Sequence, residues 1–184
     1  MAKDEQMTVS NKSLQTRENI KSSPLTLMAD QPFTTITIQD IVKEAGLNRS
    51  SFYRYFDDKY AVVEEIENEI IENLENKAIG QVEELFAQTS KYEVLFHILN
   101  KFSKETTRSS ILLGENGDPS FVHKMTKSVK ENFPTGVRQM QIPSKYDELA
   151  NDLKASAVIN FLAKFEEYNK KYTLEEIAYF FSLM

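Results

Sequence analysis

The sequence predicts an all-α protein with a small N-terminal helical domain and a larger helical domain after it. Only five glycines and five prolines interrupt its 184 residues, and apolar side chains recur at three- and four-residue spacing over long stretches. An apolar fraction of 41% is enough to give each domain a buried core. The β-branched run at residues 34–38 is short and leads directly into a predicted helix, so we expect a linker there.

The N-terminus combines a polar segment with a helix that contains a proline. Residues 1–15 are polar and lack aromatic side chains, which predicts a disordered tail. A first helix is predicted over roughly residues 16–30. Because Pro24 lacks a backbone N–H and clashes with the preceding turn of a helix, we expect either a kink at Ser23-Pro24 or a helix that begins there. The candidate inward-facing residues are Ile20, Leu25, Leu27 and Met28.

A pair of short helices joined by a tight turn is predicted within residues 37–56. Thr37 can cap the first helix, with Asp40 as the acid three residues later, and Gly46 can end it. Asn48 can cap the second helix. A helix-turn-helix motif of this form places its second helix in the DNA major groove. The spacing alone leaves two interpretations open: a DNA-binding module, or two packed helices with a solvated charged face.

The second of these helices, roughly residues 49–55, has one apolar and one polar face. Helical spacing places Phe52 and Phe56 together on the inner side. On the other side, arginine can pair with guanine or phosphate, short serines let the helix approach base edges, and hydroxyl or ammonium groups can donate to phosphates. The predicted DNA-binding residues are Thr37, Arg49, Ser50, Ser51, Tyr53, Arg54, Tyr55 and Lys59.

The rest of the chain is predicted to be helical. A long amphipathic helix, capped by Asp57 or Asp58, is expected over about residues 59–88, with a break near Gly80. The segment Gly114–Pro119 predicts a turn followed by an Asp cap and a proline at the first helical position. The further predicted helices cover about residues 91–109, 119–133, 145–169 and 173–183.

The net charge of −6 is unevenly distributed along the chain. Residues 1–59 contain eight basic and eight acidic side chains, so the whole excess of acid lies in residues 60–184. The acidic region is therefore separate from the predicted DNA-binding segment, and the overall charge does not argue against DNA binding.

Several functional classes find no support in the sequence. There is no cysteine, which excludes disulfides and thiolate chemistry, and His97 and His123 each stand alone in a predicted helix. No Ser-His-Asp arrangement or paired-carboxylate motif stands out, so we expect neither an enzyme nor a bound cofactor or metal. No apolar segment is long enough to cross a bilayer, and the N-terminus lacks a signal-peptide pattern. We therefore expect a cytoplasmic protein.

The ungapped run from Ile36 to Lys59 closely resembles the DNA-binding signature of TetR/AcrR-type transcriptional regulators. It shares the threonine that opens the second helix, the Ala-Gly before the turn, and the Tyr, Phe and Lys that follow. These are Thr37, Ala45-Gly46, Tyr53, Phe56 and Lys59.

The chain departs from that signature at three places. Asn48 stands where the family usually has a capping serine, and Tyr55 replaces a common histidine. In the first helix, Ser23-Pro24 replaces a small-then-bulky apolar pair. In the C-terminal domain, residues 112–121 resemble a subgroup that includes the activator of dihydroxyacetone kinase expression.

The resemblance implies a sequence-specific transcriptional regulator that binds a palindromic DNA operator as a homodimer. Its helix-turn-helix domain would be residues 16–58, and its helical regulatory and dimerisation domain residues 59–184. The last two long helices would pair with those of a second copy, unless some of their apolar residues fill the protomer core. The candidate interface residues are Val158, Phe161, Leu162, Phe165, Ile177, Phe180 and Phe181.

The family resemblance also implies control by an effector whose identity the sequence does not reveal. A small-molecule pocket could be lined by aromatic residues, although an aromatic stripe at helical spacing is more often part of a core. The alternative is a transcriptional activator or co-regulator that acts mainly through a protein partner. The candidate pocket residues are Tyr92, Phe96, Phe102, Phe121 and Phe161.

Overall fold

In the computed structural model, which describes residues 2–79, 89–132 and 143–183, all regular secondary structure is helical. This confirms the predicted all-α class. Within these ranges, no helix is both long and apolar enough to span a bilayer. Three helices begin with reciprocal side-chain bonds, in which Thr37, Ser90 and Thr173 each exchange bonds with an acidic residue three positions later.

The first helix, α1 (Ala2–Leu27), is longer than predicted. It covers most of the segment for which the sequence predicted disorder. It does not begin at Pro24, which lies in its last turn and removes the bond that a backbone N–H there would make to the carbonyl of Ile20. The Ser23 hydroxyl donates to the carbonyl of Asn19 at 2.8 Å. Of the predicted inward residues, Ile20 and Met28 are buried, whereas Leu25 and Leu27 are half-buried.

Two short helices follow, α2 (Ile38–Glu44) and α3 (Arg49–Phe52), after a 3-10 turn at Phe33–Thr35. The helix α3 has only four residues, and the predicted helix to residue 55 continues instead as a turn. No strand forms in the β-branched run, as predicted. The side chains of Ile41 and Val42 on α2 are buried.

The next helix, α4 (Lys59–Glu72), continues as a π-helical segment, Asn73–Ile79. Asp58 caps α4, because its carboxylate accepts the N–H of Ala61 at 2.8 Å, as one of the two predicted caps. The predicted break near Gly80 lies outside the described residues. The buried apolar side chains of α4 are Val62, Val63, Ile66 and Ile70.

Six further helices are described in the rest of the chain. The predicted helix at 91–109 is divided by a 3-10 turn at Ser103–Glu105, and the one at 145–169 is divided at Lys164. In this part, α10 packs on α5, and α8 packs on α6 and α7. The helices are α5 (Lys91–Phe102), α6 (Thr106–Leu113), α7 (Pro119–Asn132), α8 (Asp147–Ala163), α9 (Phe165–Asn169) and α10 (Leu174–Leu183).

The chain divides into two compact units. The N-terminal unit contains the residues up to Asn68 together with Glu115–Gly117, and the helical unit contains Glu69–Gly114 and the residues from Asp118 onward. The sequence predicted a boundary at residues 58 and 59 and did not predict that a distant loop would join the N-terminal unit.

Candidate DNA-binding surface

The start of α2 is fixed by a reciprocal pair of bonds between Thr37 and Asp40. The Thr37 hydroxyl oxygen accepts the N–H of Asp40 at 3.2 Å, and the Asp40 carboxylate accepts the N–H and hydroxyl of Thr37 at 2.9 and 2.6 Å. The predicted capping box is therefore confirmed. The hydroxyl and then the backbone bond from Thr37 lower the pKa of Asp40, because both favour the ionised carboxylate.

The turn between α2 and α3 depends on Gly46. Its φ of +65° is the left-handed conformation that favours glycine, and no other described residue has a positive φ. The N–H of Gly46 donates to Lys43 at 3.2 Å and the N–H of Leu47 donates to Val42 at 2.8 Å. This pair of bonds is the Schellman arrangement, which satisfies the last carbonyls of α2 and reverses the chain toward α3.

The short helix α3 is held at its start by Asn48 and underneath by two phenylalanines. The Asn48 side-chain oxygen accepts the N–H of Ser51 at 2.8 Å and the hydroxyl of Ser50 at 2.7 Å, which confirms the predicted cap. Phe52 is completely buried and Phe56 nearly so. Because these apolar side chains anchor one side of α3, the polar residues are held on the opposite side.

The helix α3 and the turn after it contain most of the predicted DNA-binding residues. Arg49, Ser50, Tyr53 and Arg54 are exposed, and Ser51 is half-buried. The Arg54 guanidinium lies 3.3 Å from the Ser51 hydroxyl, a contact too weak to hold it away from a ligand. These exposed groups provide cationic and hydroxyl donors within six consecutive residues, and such donors are suited to contact with phosphates and base edges.

Two predicted residues lie beside α3, where they also contact the protein. Thr37 is exposed, but its hydroxyl is already bonded to Asp40. The hydroxyl of the half-buried Tyr55 lies 3.2 Å from that of Ser13. This contact brings α1 next to the end of the helix-turn-helix.

Lys59 has a position that the sequence did not indicate. Its ammonium donates to the carbonyls of Phe33, Thr34 and Ile36 at 2.9, 3.0 and 2.6 Å. Burial lowers the pKa of Lys59, although its carbonyl acceptors favour the charged form. All three ammonium donors thus have protein acceptors, so the predicted contact with phosphate would require at least one of these bonds to be replaced.

Charged residues that the sequence did not single out connect α1 to α4. Arg17 makes a two-pronged bond to the carboxylate of Glu65, and its guanidinium lies 4.6 Å from the centre of the Phe56 ring. The buried Lys21 lies 2.7 Å from Glu18 and 3.7 Å from Glu65. No local pattern could reveal the pairs with Glu65, because this residue is 48 positions from Arg17 in the sequence.

In the helical unit, the five predicted pocket residues are divided between buried and half-buried positions. Phe102 and Phe121 are buried in the core, whereas Phe161 stacks on Tyr168 and meets Phe181 edge-on at 4.9 Å. Tyr92 stacks on Phe96 at 6.1 Å. Of the five, Phe96 alone lines the groove of about 470 Å³ that Asn100 and residues 169–176 complete.

The predicted dimer-interface residues are divided between core and surface. Leu162, Phe165 and Ile177 are buried within the protomer, Val158, Phe161 and Phe181 are half-buried, and Phe180 is exposed. Sequence periodicity did not identify other large apolar side chains that are exposed on the same two helices. These are Leu149 and Leu153 on α8, and Tyr179 and Leu183 on α10.

A partly buried polar network lies elsewhere in the helical unit. Glu105 accepts a bond from Asn73 at 2.6 Å, and Arg108 lies 3.2 Å from Glu105 and 2.7 Å from Glu69. Since these residues belong to α4, its π-helical continuation, the 3-10 turn at Ser103–Glu105 and α6, their bonds connect those elements. Among the described residues, no cluster of three His, Asp or Glu side chains has the arrangement of a metal site.

Comparison with known proteins places these features in context. Residues 25–66 match the family of bacterial regulatory proteins described as the tetR family. The fold is similar to that of a TetR transcriptional regulator from Streptococcus agalactiae 2603V, with 20% identity and a TM-score of 0.67 over 97% of each chain. It is also similar to the dihydroxyacetone kinase operon activator DhaS, with 16% identity and a TM-score of 0.52 over 90% of this chain and 91% of that one. No curated protein matches the sequence.

Proposed function

We propose that the protein is a transcriptional regulator of the tetR type that recognises a specific DNA operator through α3, since residues 25–66 match the tetR family of bacterial regulatory proteins. The observation that carries this proposal is that Arg49, Ser50 and Arg54, in α3 and the turn after it, are exposed, whereas Phe52 is completely buried. Exposed residues of this kind can enter a DNA major groove while the buried Phe52 fixes the orientation of the helix. We assign the protein no enzymatic activity and no cofactor of its own, and we place its action on DNA in the cytoplasm.

We further propose that the functional unit is a homodimer. Tyr179, Phe180 and Leu183 lie on one side of α10, where they are each about 60% exposed or more. Leu149 and Leu153 form a similar exposed row on α8. Apolar rows on two helices can form a symmetric interface when each is met by the same helices of a second copy. Two α3 helices would then read a palindromic operator whose half-sites lie a whole number of turns, about 10 bp each, apart.

We assign the control of DNA binding to the helical unit. The open groove beside Phe96 is a candidate site for a small-molecule effector, since its lining includes the aromatic residues Phe96 and Tyr172 and the polar side chain of Asn100. The alternative is that a protein partner binds this unit and that the protein activates transcription. It is favoured by the fold that this chain shares with a protein named as an operon activator.

Selection of bound fragments from random or genomic DNA tests the proposed function. We expect the purified full chain to enrich a sequence with two-fold symmetry. Contact with about eight phosphates per dimer would give a log–log salt slope near −7. Absence of DNA binding at low salt, or a salt slope near zero, would contradict the proposal. Affinity capture with and without that operator then tests the alternative, which fails if no specific protein is retained.

A further inference from the structure

The side-chain oxygen of Asn48 accepts bonds from two donors, and the direction of both bonds is fixed. The backbone N–H of Ser51 lies 2.8 Å from it and can only donate, so the atom at this place is the amide oxygen of Asn48 and not its nitrogen. The hydroxyl of Ser50 lies 2.7 Å from the same oxygen. Because an amide oxygen can only accept, the Ser50 hydroxyl must donate its single proton to Asn48.

This bond leaves the Ser50 hydroxyl able only to accept hydrogen bonds from other groups. A serine hydroxyl has one proton and two lone pairs, so a hydroxyl without a bond of its own can either donate to a ligand or accept from it. Here the proton is directed at Asn48, and an approaching group meets the lone pairs. The Ser50 side chain is exposed, and among the described residues Asn48 is its one hydrogen-bond partner.

The bond from Ser50 is not needed to cap α3. An asparagine cap requires one bond from a backbone N–H of the first turn, and Ser51 supplies it. The adjacent serine has the opposite arrangement, because the Ser51 hydroxyl accepts the weak 3.3 Å contact from the Arg54 guanidinium, which can only donate. Ser51 therefore keeps its proton for another partner, whereas Ser50 does not.

The major groove of DNA presents few donors to such an acceptor. Its base-edge donors are the amino groups of adenine, at N6, and of cytosine, at N4, whereas thymine and guanine present the acceptors O4 and O6. A hydroxyl that can only accept is complementary to adenine or cytosine. Against thymine or guanine, its lone pairs would face another acceptor, and both groups would lose bonds that water had provided.

We propose that Ser50 determines operator specificity by accepting a hydrogen bond from the amino group of adenine or cytosine, and that Asn48 is the positioning residue that directs its proton away from the DNA. The proposal rests on the proposed function, because it names the bases that α3 selects. Each half-site then has one position at which a given strand carries adenine or cytosine, and thymine and guanine are depleted there. Arg49, which has only donors, is left to select the acceptors of guanine.

Selection of DNA fragments from a random pool by the full-length chain and its variants tests this assignment. We expect the unaltered protein to enrich adenine or cytosine at one half-site position by about two- to tenfold, the range for one neutral hydrogen bond. Ser50→Ala should remove this enrichment and leave the rest of the selected sequence unchanged. Ser22→Ala, which alters an exposed serine of α1, is the matched control and should select the same sequence as the unaltered protein.

Two variants of the cap test the role of Asn48. Asn48→Asp keeps an oxygen that accepts both bonds, so it should preserve the preference for adenine or cytosine while its charge weakens binding to all DNA. Asn48→Gly still permits the helix to begin but releases the Ser50 hydroxyl, which can then also donate to thymine or guanine. The preference should therefore decline in the glycine variant. A preference that survives there in full would overturn the positioning role.

A base analogue identifies the amino group itself. In the selected operator, the enriched adenine is replaced by unsubstituted purine, or the enriched cytosine by pyrimidinone, each of which lacks the exocyclic amino group. The loss of affinity in the unaltered protein should exceed that in Ser50→Ala by about two- to tenfold, a ratio in which effects on the duplex cancel.

The outcomes separate this proposal from the proposed function. Equal losses of affinity for the analogue in both proteins would overturn the proposal, and so would a Ser50-dependent position that carries thymine or guanine, or the absence of any position that depends on Ser50. In each of these cases the protein still selects an operator, and the proposed function stands. If the unaltered protein selects no DNA, the proposed function itself fails.

Discussion

The ammonium nitrogen of Lys59 lies 2.6 Å from the carbonyl oxygen of Ile36, the residue immediately before the cap of α2. Two more carbonyls, those of Phe33 and Thr34, accept the other donors. The 3-10 turn is too short for these three carbonyls to find partners within a helix. A lysine that donates a hydrogen bond to each of them therefore stabilises the turn. Lys59 lies near the proposed DNA surface, but its bonds to the three carbonyls give it a conformational role that its charge alone does not indicate.

Substitution of this lysine separates the conformational role from a phosphate contact. We expect Lys59→Met to lower the free energy of unfolding by about 1.5–3 kcal/mol, because carbonyls bonded to a charged donor lose their partner. Urea denaturation measures this loss, and the exposed Lys101→Met serves as control. Under conditions in which the variant is folded, the salt slope of DNA binding should stay unchanged. A slope smaller by about 0.9 would identify Lys59 as a phosphate ligand instead.

Substitution of Arg49 should weaken DNA binding and leave the free energy of unfolding unchanged. It is exposed at the first position of α3, so Arg49→Ala removes little packing. If its guanidinium pairs with a base, the operator affinity falls by about 1–3 kcal/mol while binding to unrelated DNA is nearly unaffected. Fluorescence anisotropy with both DNAs measures the difference, with Lys101→Ala as the control. Equal affinities of variant and unaltered protein would remove Arg49 from the proposed reading surface.

The cap of α2 should be sensitive to acid. Bonds from Thr37 lower the folded-state pKa of Asp40 below its ordinary value of 3.8, so its contribution to stability is complete above about pH 4 and is lost as the pH falls through the folded-state value. Chemical shifts of the Thr37 amide, followed by NMR during acid titration, should report that transition. Asp40→Asn should abolish it. A Thr37 transition at or above the ordinary pKa of aspartate would contradict this assignment.

A charge on the exposed face of α10 should prevent dimerisation. We expect Phe180→Asp with Leu183→Asp to give a folded monomer, because carboxylates would be placed in an apolar interface at a cost that dimerisation cannot offset. Sedimentation velocity gives the mass, and circular dichroism checks the helical content. Leu14→Asp changes an equally exposed leucine on α1 and should leave the dimer intact. A double variant that remains dimeric would exclude this face as the interface.

The sequence predicted local features well where one short segment contains all the necessary groups. Thr37 and Asp40 are three residues apart, and the cap, the glycine turn and the Asn48 cap formed as expected. The anchoring of α3 by Phe52 and Phe56 follows from helical spacing, and both are buried. Most of the α3 surface could therefore be derived before its fold was known.

The remaining features depend on residues that meet only after folding. The Lys59 ammonium contacts carbonyls 23 to 26 residues away, and backbone carbonyls leave no trace in an amino-acid pattern. Apolar periodicity also failed to separate Phe165, which is buried in the protomer, from the exposed Phe180. Both residues belong to helices with an apolar side, and the tertiary packing of those helices decides which positions are covered.

The discontinuity of the N-terminal unit has a practical consequence for anyone who divides this chain. A fragment that stops at Asn68 would include α2 and α3, yet it would leave the Phe33 amide and the Met28 carbonyl without their Asn116 partners. A chimera that joins the same fragment to another helical domain would lack the same two hydrogen bonds. We expect either molecule to need the Glu115–Gly117 tripeptide, supplied by a matching loop, before its operator preference equals that of the intact protein.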